Sequence, residues 1–219
     1  MDKYETIKVL GAGENGKVFL VKNKITGKLY SKKVVFNHFR GREEIGEEID
    51  ILIKLSHPIC KLRLPCLVEH FESAYRESIL ILEYREGETL SKTIIDSIEQ
   101  AKSISIQLLE NIKLIHSLGI CHDDINSDNI LITPLGEVYL IDFGMAVANC
   151  ELKHSLYELN HILEEIEAIF KRILSKEDPF IQSLMNIKYD LSYVINIERF
   201  DDLTANKVLE DVFNLLSSI

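Results

Sequence analysis

Three glycines, Gly11, Gly13 and Gly16, sit between two runs that alternate like β-strands, Tyr4 to Leu10 and Lys17 to Asn23. A G-x-G-x-x-G set that opens a βαβ unit needs a helix directly after its last glycine. Here Lys17 to Val21 alternates with period two instead, so the glycines join antiparallel strands. Lys24 to Gly27 is turn-like and Lys28 to Val35 forms a third strand, which makes the segment a β-meander. A glycine loop in that setting can fold over a phosphate chain and present backbone N–H groups, because no Cβ blocks the approach. The same pattern also suits a plain glycine hairpin with no ligand.

The remainder changes character. Glu43 to Leu55 carries Ile45, Ile49, Leu52 and Ile53 at helical spacing and is stopped by His57-Pro58. Strands are expected near Leu67 to Phe71 and Ser78 to Tyr84, followed by a long helix from about Ser97 to Leu118 closed by Gly119. Ile130 to Ile132 and Val138 to Ile141 flank a Pro134-Leu135-Gly136 turn. From Glu151 a stripe of Leu152, Leu156, Leu159, Ile162, Ile166, Ile169 and Ile173 predicts another long helix, and Leu203 to Leu216 a last one. The order is a β-rich first third with one helix, then a mainly helical remainder.

Composition bounds the function. The chain has 219 residues, 46% hydrophobic and 27% charged, which suits a soluble globular protein. A net charge of −10 argues against nucleic acid as a partner. No apolar run approaches the roughly 20 residues of a membrane span, and Met1 to Glu5 has no signal-peptide pattern, so no membrane association and a cytoplasmic location are expected. Cys60, Cys66, Cys121 and Cys150 are too few and too irregular for a disulfide scaffold, which points to a reducing compartment. His57, Cys60, Cys66 and His70 invite a zinc set, but their spacing is not that of a finger.

Four further stretches carry chemistry. Tyr30-Ser31-Lys32-Lys33-Val34 holds two lysines, and strand alternation puts Ser31 and Lys33 on one face. The Glu43 to Leu55 helix offers Glu43, Glu44, Glu47 and Glu48. His122-Asp123-Asp124-Ile125-Asn126-Ser127-Asp128-Asn129 concentrates carboxylates and amides after a helix, and Asp142-Phe143-Gly144 ends an apolar strand.

In order and separation these elements resemble the eukaryotic-like protein kinase superfamily over Tyr4 to Ala146. The resemblance implies an α+β fold. Residues 1–84 would form a small antiparallel β-sheet N-lobe with one helix, and residues 85–219 a truncated, mainly helical C-lobe. It implies ATP and Mg2+ as cofactors. Gly11, Gly13 and Gly16 would cover the phosphates, Lys33 would bridge the α- and β-phosphates, and Glu48 would hold Lys33. Asp124 would accept the proton of the substrate hydroxyl, and Asn129 and Asp142 would bind metal. Val18, Ser31 and Leu131 would sandwich adenine, with the backbone of Glu83 to Arg85 holding its edge beyond Leu82.

The pattern also departs from the family. Asp123 stands where an arginine reads an activation-segment phosphate, and Asn126 where serine/threonine kinases carry a lysine. No A-P-E motif follows Gly144, and Ser155 falls where a supporting aspartate is usual. In this the chain looks like the compact kinases that some bacteria inject into host cells, several of which are activated by a host protein. That would place it in the host-cell cytosol, acting on a protein substrate. A small-molecule kinase of the aminoglycoside or choline type shares H-x-D-x-x-x-x-N, and a pseudokinase would keep the fold as a binding module.

Overall fold

The computed structural model describes residues 3–13, 16–36, 42–58, 60–73, 77–196 and 202–219. Glu14 and Asn15 of the glycine loop and the side chain of Glu43 lie outside the described residues. The chain divides into two compact units, Met1–Glu86 and Gly87–Ile219.

The first unit is a five-stranded antiparallel sheet with one helix. Its strands are β1 (Tyr4–Gly13), β2 (Gly16–Asn23), β3 (Leu29–Val35), β4 (Leu67–Glu72) and β5 (Ser78–Glu83), in the spatial order β1-β2-β3-β5-β4. Burial does not alternate along every strand: β1 is exposed beyond Tyr4, and β5 is buried without a break from Ser78 through Ile81. Tyr4, Val21, Tyr30, Val34, Ile79 and Ile81 meet in one buried cluster. Asn23 closes the β2–β3 turn by accepting the N–H groups of Ile25 and Thr26 at 2.9 and 3.0 Å, an Asx turn. Helix α1 (Arg42–Ser56) buries Ile45, Ile51, Leu52 and Leu55 and packs against β4. Its last residue fixes that packing: Ser56 Oγ donates to Leu52 O at 2.6 Å and accepts the Leu67 N–H at 2.7 Å.

The second unit is mainly helical. Helix α2 (Ile98–Ser117) starts where Ser97 Oγ accepts the Gln100 N–H at 3.2 Å, and it ends at Leu118 with Gly119 at φ 68°, a left-handed position that favours glycine. Ala101, Ile104, Leu108, Ile112 and Ile115 form its buried stripe, each large aliphatic contributing about 1.5–3 kcal/mol by leaving water. Strands β6 (Glu88–Thr89), β8 (Ile130–Ile132) and β9 (Val138–Leu140) form one small sheet, and β7 (Ile120–Cys121) with β10 (Val147–Ala148) another. Side chains of α2 also hold the β8–β9 hairpin by its main chain. Asn111 Nδ2 donates to Val138 O at 2.8 Å, Gln107 Nε2 donates to Gly136 O at 2.9 Å, and Gln107 Oε1 accepts the Val138 N–H at 3.2 Å.

Helices α3 (Leu152–Phe170), α4 (Pro179–Asn196) and α5 (Asp202–Ser217) complete the unit. The predicted α3 stripe extends to Ile173, but the helix ends at Phe170, and Ile173 lies in the turn that follows. Helix α4 has no counterpart in the sequence reading. Its start has a local cause: Asp178 Oδ1 accepts the Phe180 N–H at 2.9 Å, and Pro179 takes the first helical position. Buried Glu167 joins α3 to α4, accepting from Lys188 Nζ at 2.5 Å while also pairing with Lys171. Among the described residues no helix is long and apolar enough to cross a membrane.

The four cysteines, read as too few and too irregular for a disulfide scaffold, are nevertheless paired. Cys60 is bonded to Cys66 and Cys121 to Cys150, each pair with Cα atoms 5.3 Å apart. The Cys121–Cys150 pair is brought together by the β7–β10 ladder, a contact across 29 residues that leaves no local trace in sequence. The Cys60–Cys66 bond also removes both sulfurs from the zinc set considered with His57 and His70.

Candidate active site

In the first unit, β1 and β2 pair Gly13 with Gly16, Ala12 with Lys17 and Gly11 with Val18. The three glycines are not equivalent. A Cβ on Gly16 would stand 2.1 Å from Val34 O, so the β2–β3 packing itself demands glycine there. At Gly11 and Gly13 a Cβ would meet no atom within 4 Å, so packing does not explain them.

Strand β3 lies between β2 and β5. It places Lys33 opposite Val18 and Ser31 between Leu20 and Leu82. Lys33 Nζ reaches Glu48 Oε1 of α1 at 2.6 Å, with the side chains 12% and 2% exposed. A carboxylate that deeply buried is tolerable only with a close cation. At the end of β5, Glu83 receives Lys28 and Arg85 on its two carboxylate oxygens, each at 2.9 Å, and its N–H donates to Cys66 O at 2.9 Å.

In the second unit, the segment 122–129 is folded by its own side chains. The Asp124 carboxylate accepts Asn126 Nδ2 at 2.9 Å on one oxygen and Asn129 Nδ2 at 2.7 Å on the other. Asn126 Oδ1 in turn accepts the N–H groups of Asp128 and Asn129 at 2.9 and 3.2 Å. Because Asn129 uses its amide nitrogen on Asp124, its amide oxygen is the atom left to act as a metal ligand. The Ile141 N–H donates to Asn129 O at 2.9 Å, which sets Asn129 beside the residue preceding Asp142. An amide oxygen and a carboxylate are hard donors, the set that suits Mg2+. Leu131 lies in β8, opposite Tyr139 and Thr89.

Two aspartates here occupy the left-handed backbone region, Asp123 at φ 59° and Asp142 at φ 61°. Such conformations cost about 1–3 kcal/mol in non-glycine residues and persist only where neighbours over-determine them. For Asp123 the neighbour is Glu158 of α3, whose Oε1 accepts the N–H groups of His122 at 2.6 Å and Asp123 at 2.9 Å. Its Oε2 lies 2.5 Å from His116 Nε2. At Asp142, Oδ1 accepts the Gly144 N–H at 3.2 Å. His122 connects the two segments, with Nε2 3.0 Å from Ile141 O and its ring 4.6 Å, edge-on, from that of Phe143. Burial pushes the His122 pKa down, which favours the neutral ring, and its buried Nδ1 has no partner among the described residues.

A family model described as "Protein kinase domain" matches residues 4–185 of the chain. The chain belongs to the protein kinase family. Among relatives of this kinase domain, human ribosomal protein S6 kinase alpha-6 is 32% identical over 166 residues, covering 71% of this chain and 22% of that protein. A Dictyostelium discoideum protein described as a probable serine/threonine-protein kinase is 39% identical over 147 residues, covering 65% of this chain and 30% of its own. A second Dictyostelium protein, described as a probable myosin light chain kinase, is 35% identical, covering 65% and 46%. The kinase domain thus spans less than half the length of each of these relatives.

Within each unit the structure brings predicted residues together: Lys33 with Glu48 in the first, Asp124 with Asn129 in the second. Glu158 is the site residue that sequence reasoning missed. Ser155 occupies the position assigned to a supporting aspartate, yet its hydroxyl faces Cys150 Sγ at 3.2 Å. The carboxylate comes from the same helix face one turn later. The available signal was a glutamate inside the apolar α3 stripe, at i+3 from Ser155.

Proposed function

We propose that this kinase domain transfers the γ-phosphate of ATP to a serine or threonine hydroxyl of a protein, with Mg2+ as cofactor. In this reading residues 1–84 and 85–219 are the N-lobe and C-lobe of one kinase domain. Gly11, Gly13 and Gly16 cover the phosphates, Lys33 binds them, and Glu48 keeps Lys33 extended. Val18, Ser31 and Leu131 enclose adenine, with the Glu83 and Arg85 backbone along its edge. Asn129 and Asp142 hold Mg2+, which supplies positive charge against the phosphates. Asp124 accepts the hydroxyl proton.

The observation that carries this reading is the Asp124 carboxylate, aimed by two amides of which one, Asn129, keeps its oxygen for metal. The buried Lys33–Glu48 pair and the unexplained glycines at 11 and 13 add support. The relative described as a probable serine/threonine-protein kinase favours serine or threonine over a small molecule as acceptor. The reading includes action without phosphorylation of the segment after Asp142, since Asp123 replaces the phosphate-reading arginine and only residues 143–151 precede α3. It also includes service as an effector in a host cytosol, with a protein activator.

The test is labelling with radioactive ATP and Mg2+. The purified chain should label itself or proteins of a mixed lysate, and Asp124→Ala should lose about 10²–10⁴-fold, the share of a general base. Equal labelling by both proteins would overturn the proposal.

A further inference from the structure

We infer that Cys121 and Cys150 form a thiol–disulfide switch that clasps the base of the segment carrying the phosphotransfer residues. The bond joins positions 29 residues apart, and the loop it closes contains Asp124, Asn129 and Asp142. Inside the loop His122 and Asn129 hold its segments to one another, and Glu158 of α3 pins one of them, but its mouth has little besides the bond. Strands β7 and β10 pair over two positions, Cys121 with Val147 and Ile120 with Ala148, and the Cys150 N–H donates to Gly119 O at 3.0 Å. A two-residue ladder is marginal in water. Asn149, between ladder and sulfur, is exposed and holds φ 57°, a conformation that a released chain has no reason to keep.

The sulfur site also adjoins the carboxylate that pins the segment 122–129. Cys121 Sγ lies 4.0 Å from His116 Nε2, His116 contacts Glu158, and Glu158 accepts the His122 and Asp123 N–H groups. Cys121 itself directly precedes His122. The Cys60–Cys66 bond offers a contrast: it spans six residues and encloses none of the site residues.

Access decides the direction of attack. Cys121 is 1% exposed, whereas Cys150 is half-buried with its sulfur 3.2 Å from Ser155 Oγ. A low-molecular-weight thiolate attacks Cys150 Sγ, forming a mixed disulfide as the Cys121–Cys150 bond breaks and Cys121 leaves as thiolate. A second thiolate attacks the small-molecule sulfur and releases Cys150. The sum is one protein disulfide plus two small thiols giving two cysteine thiols plus one small-molecule disulfide, protons returning to the thiolates from buffer.

The regulatory half of this inference rests on the proposed activity; the covalent half does not. The full chain is equilibrated at graded ratios of reduced to oxidised glutathione, trapped with iodoacetamide, and read by peptide mass spectrometry, limited proteolysis and ATP labelling. The expected result is a 121–150 linked peptide lost in one two-electron transition. Cleavage within 143–151 rises and labelling falls several-fold over the same ratios. Cys150→Ser should show the reduced behaviour at every ratio, while the Cys60→Ser/Cys66→Ser variant keeps the transition. A redox-dependent link and cleavage without any labelling would support the switch and count against the activity. Free, alkylated Cys121 and Cys150 at every ratio would overturn it, as would Cys150→Ser keeping the wild-type cleavage transition. Stoichiometric zinc held by His116, Cys121 and Cys150, whose donor atoms lie within 4.8 Å of one another, would also overturn it in favour of a metal centre.

Discussion

Replacing Glu158 with alanine removes the acceptor of two backbone N–H groups and the partner of His116 in one step. Leaving a buried donor unsatisfied costs about 1–3 kcal/mol, so the buried His122 N–H and the part-buried Asp123 N–H set an upper limit of roughly 6 kcal/mol, with about 2–4 expected. In a chain of this size each kcal/mol lowers the melting temperature by about 2–4 °C, which puts the expected drop near 10 °C. Urea unfolding followed by far-UV circular dichroism measures the loss directly, with the slope checking that the transition remains two-state. Glu158→Gln keeps one acceptor oxygen and should fall between alanine and wild type. Because Asp123 is pinned next to Asp124, labelling should drop in the same order. A Glu158→Ala protein within about 0.5 kcal/mol of wild type, the ordinary range of a surface substitution, would refute the claim that this carboxylate shapes the segment.

Three further outcomes are expected. Lys33→Ala strands the Glu48 carboxylate and should cost about 3–5 kcal/mol in urea unfolding, whereas Lys33→Ala/Glu48→Ala recovers part of that loss; a strictly additive double variant would count against the buried pair. Gly16→Ala should destabilise strongly because its Cβ meets Val34 O, while Gly11→Ala leaves the unfolding midpoint close to wild type, and equal midpoints would contradict the geometry. Stability should also depend on pH through Tyr4 and Glu69. The Tyr4 hydrogen bond, then Lys3, holds the Glu69 pKa below its usual value, so its contribution is full above pH ~4.5 and is lost as pH falls through the lowered value. Burial, then Glu69, raises Tyr4 to about 12, so its contribution is full below pH ~10 and is lost as pH rises through 12. Tyr4→Phe should flatten both limbs of a pH series of melting temperatures.

What could be read from the residues was whatever repeats locally. The five strands of the first sheet, α1, α2 and the β8–β9 hairpin all announce themselves through alternation, helical spacing or turn residues, and each lies within a few residues of its expected bounds. Strands β6, β7 and β10 are two residues long and exist only because distant segments pair, so no period marks them. Helix α4 carried a usable signal in Asp178-Pro179, overlooked beside the polar residues before it. The candidate site divides the same way. Lys33, Asp124, Asn129 and Asp142 stand out through residue type at motif spacing. Glu158 carried a fainter signal, a glutamate among the apolar residues of α3, and its role shows in the bonds it makes.

The grip of α2 on the β8–β9 hairpin has a consequence for how this domain can vary. Gln107 and Asn111 reach peptide groups of residues 136 and 138, and Leu135 at the tip is 87% exposed. These bonds read the backbone path of the hairpin at its tip, while its strands are held by the buried side chains of Ile130, Val138 and Leu140. Its tip can be rewritten, or bear a fluorophore, without disturbing the strand that delivers Asp142.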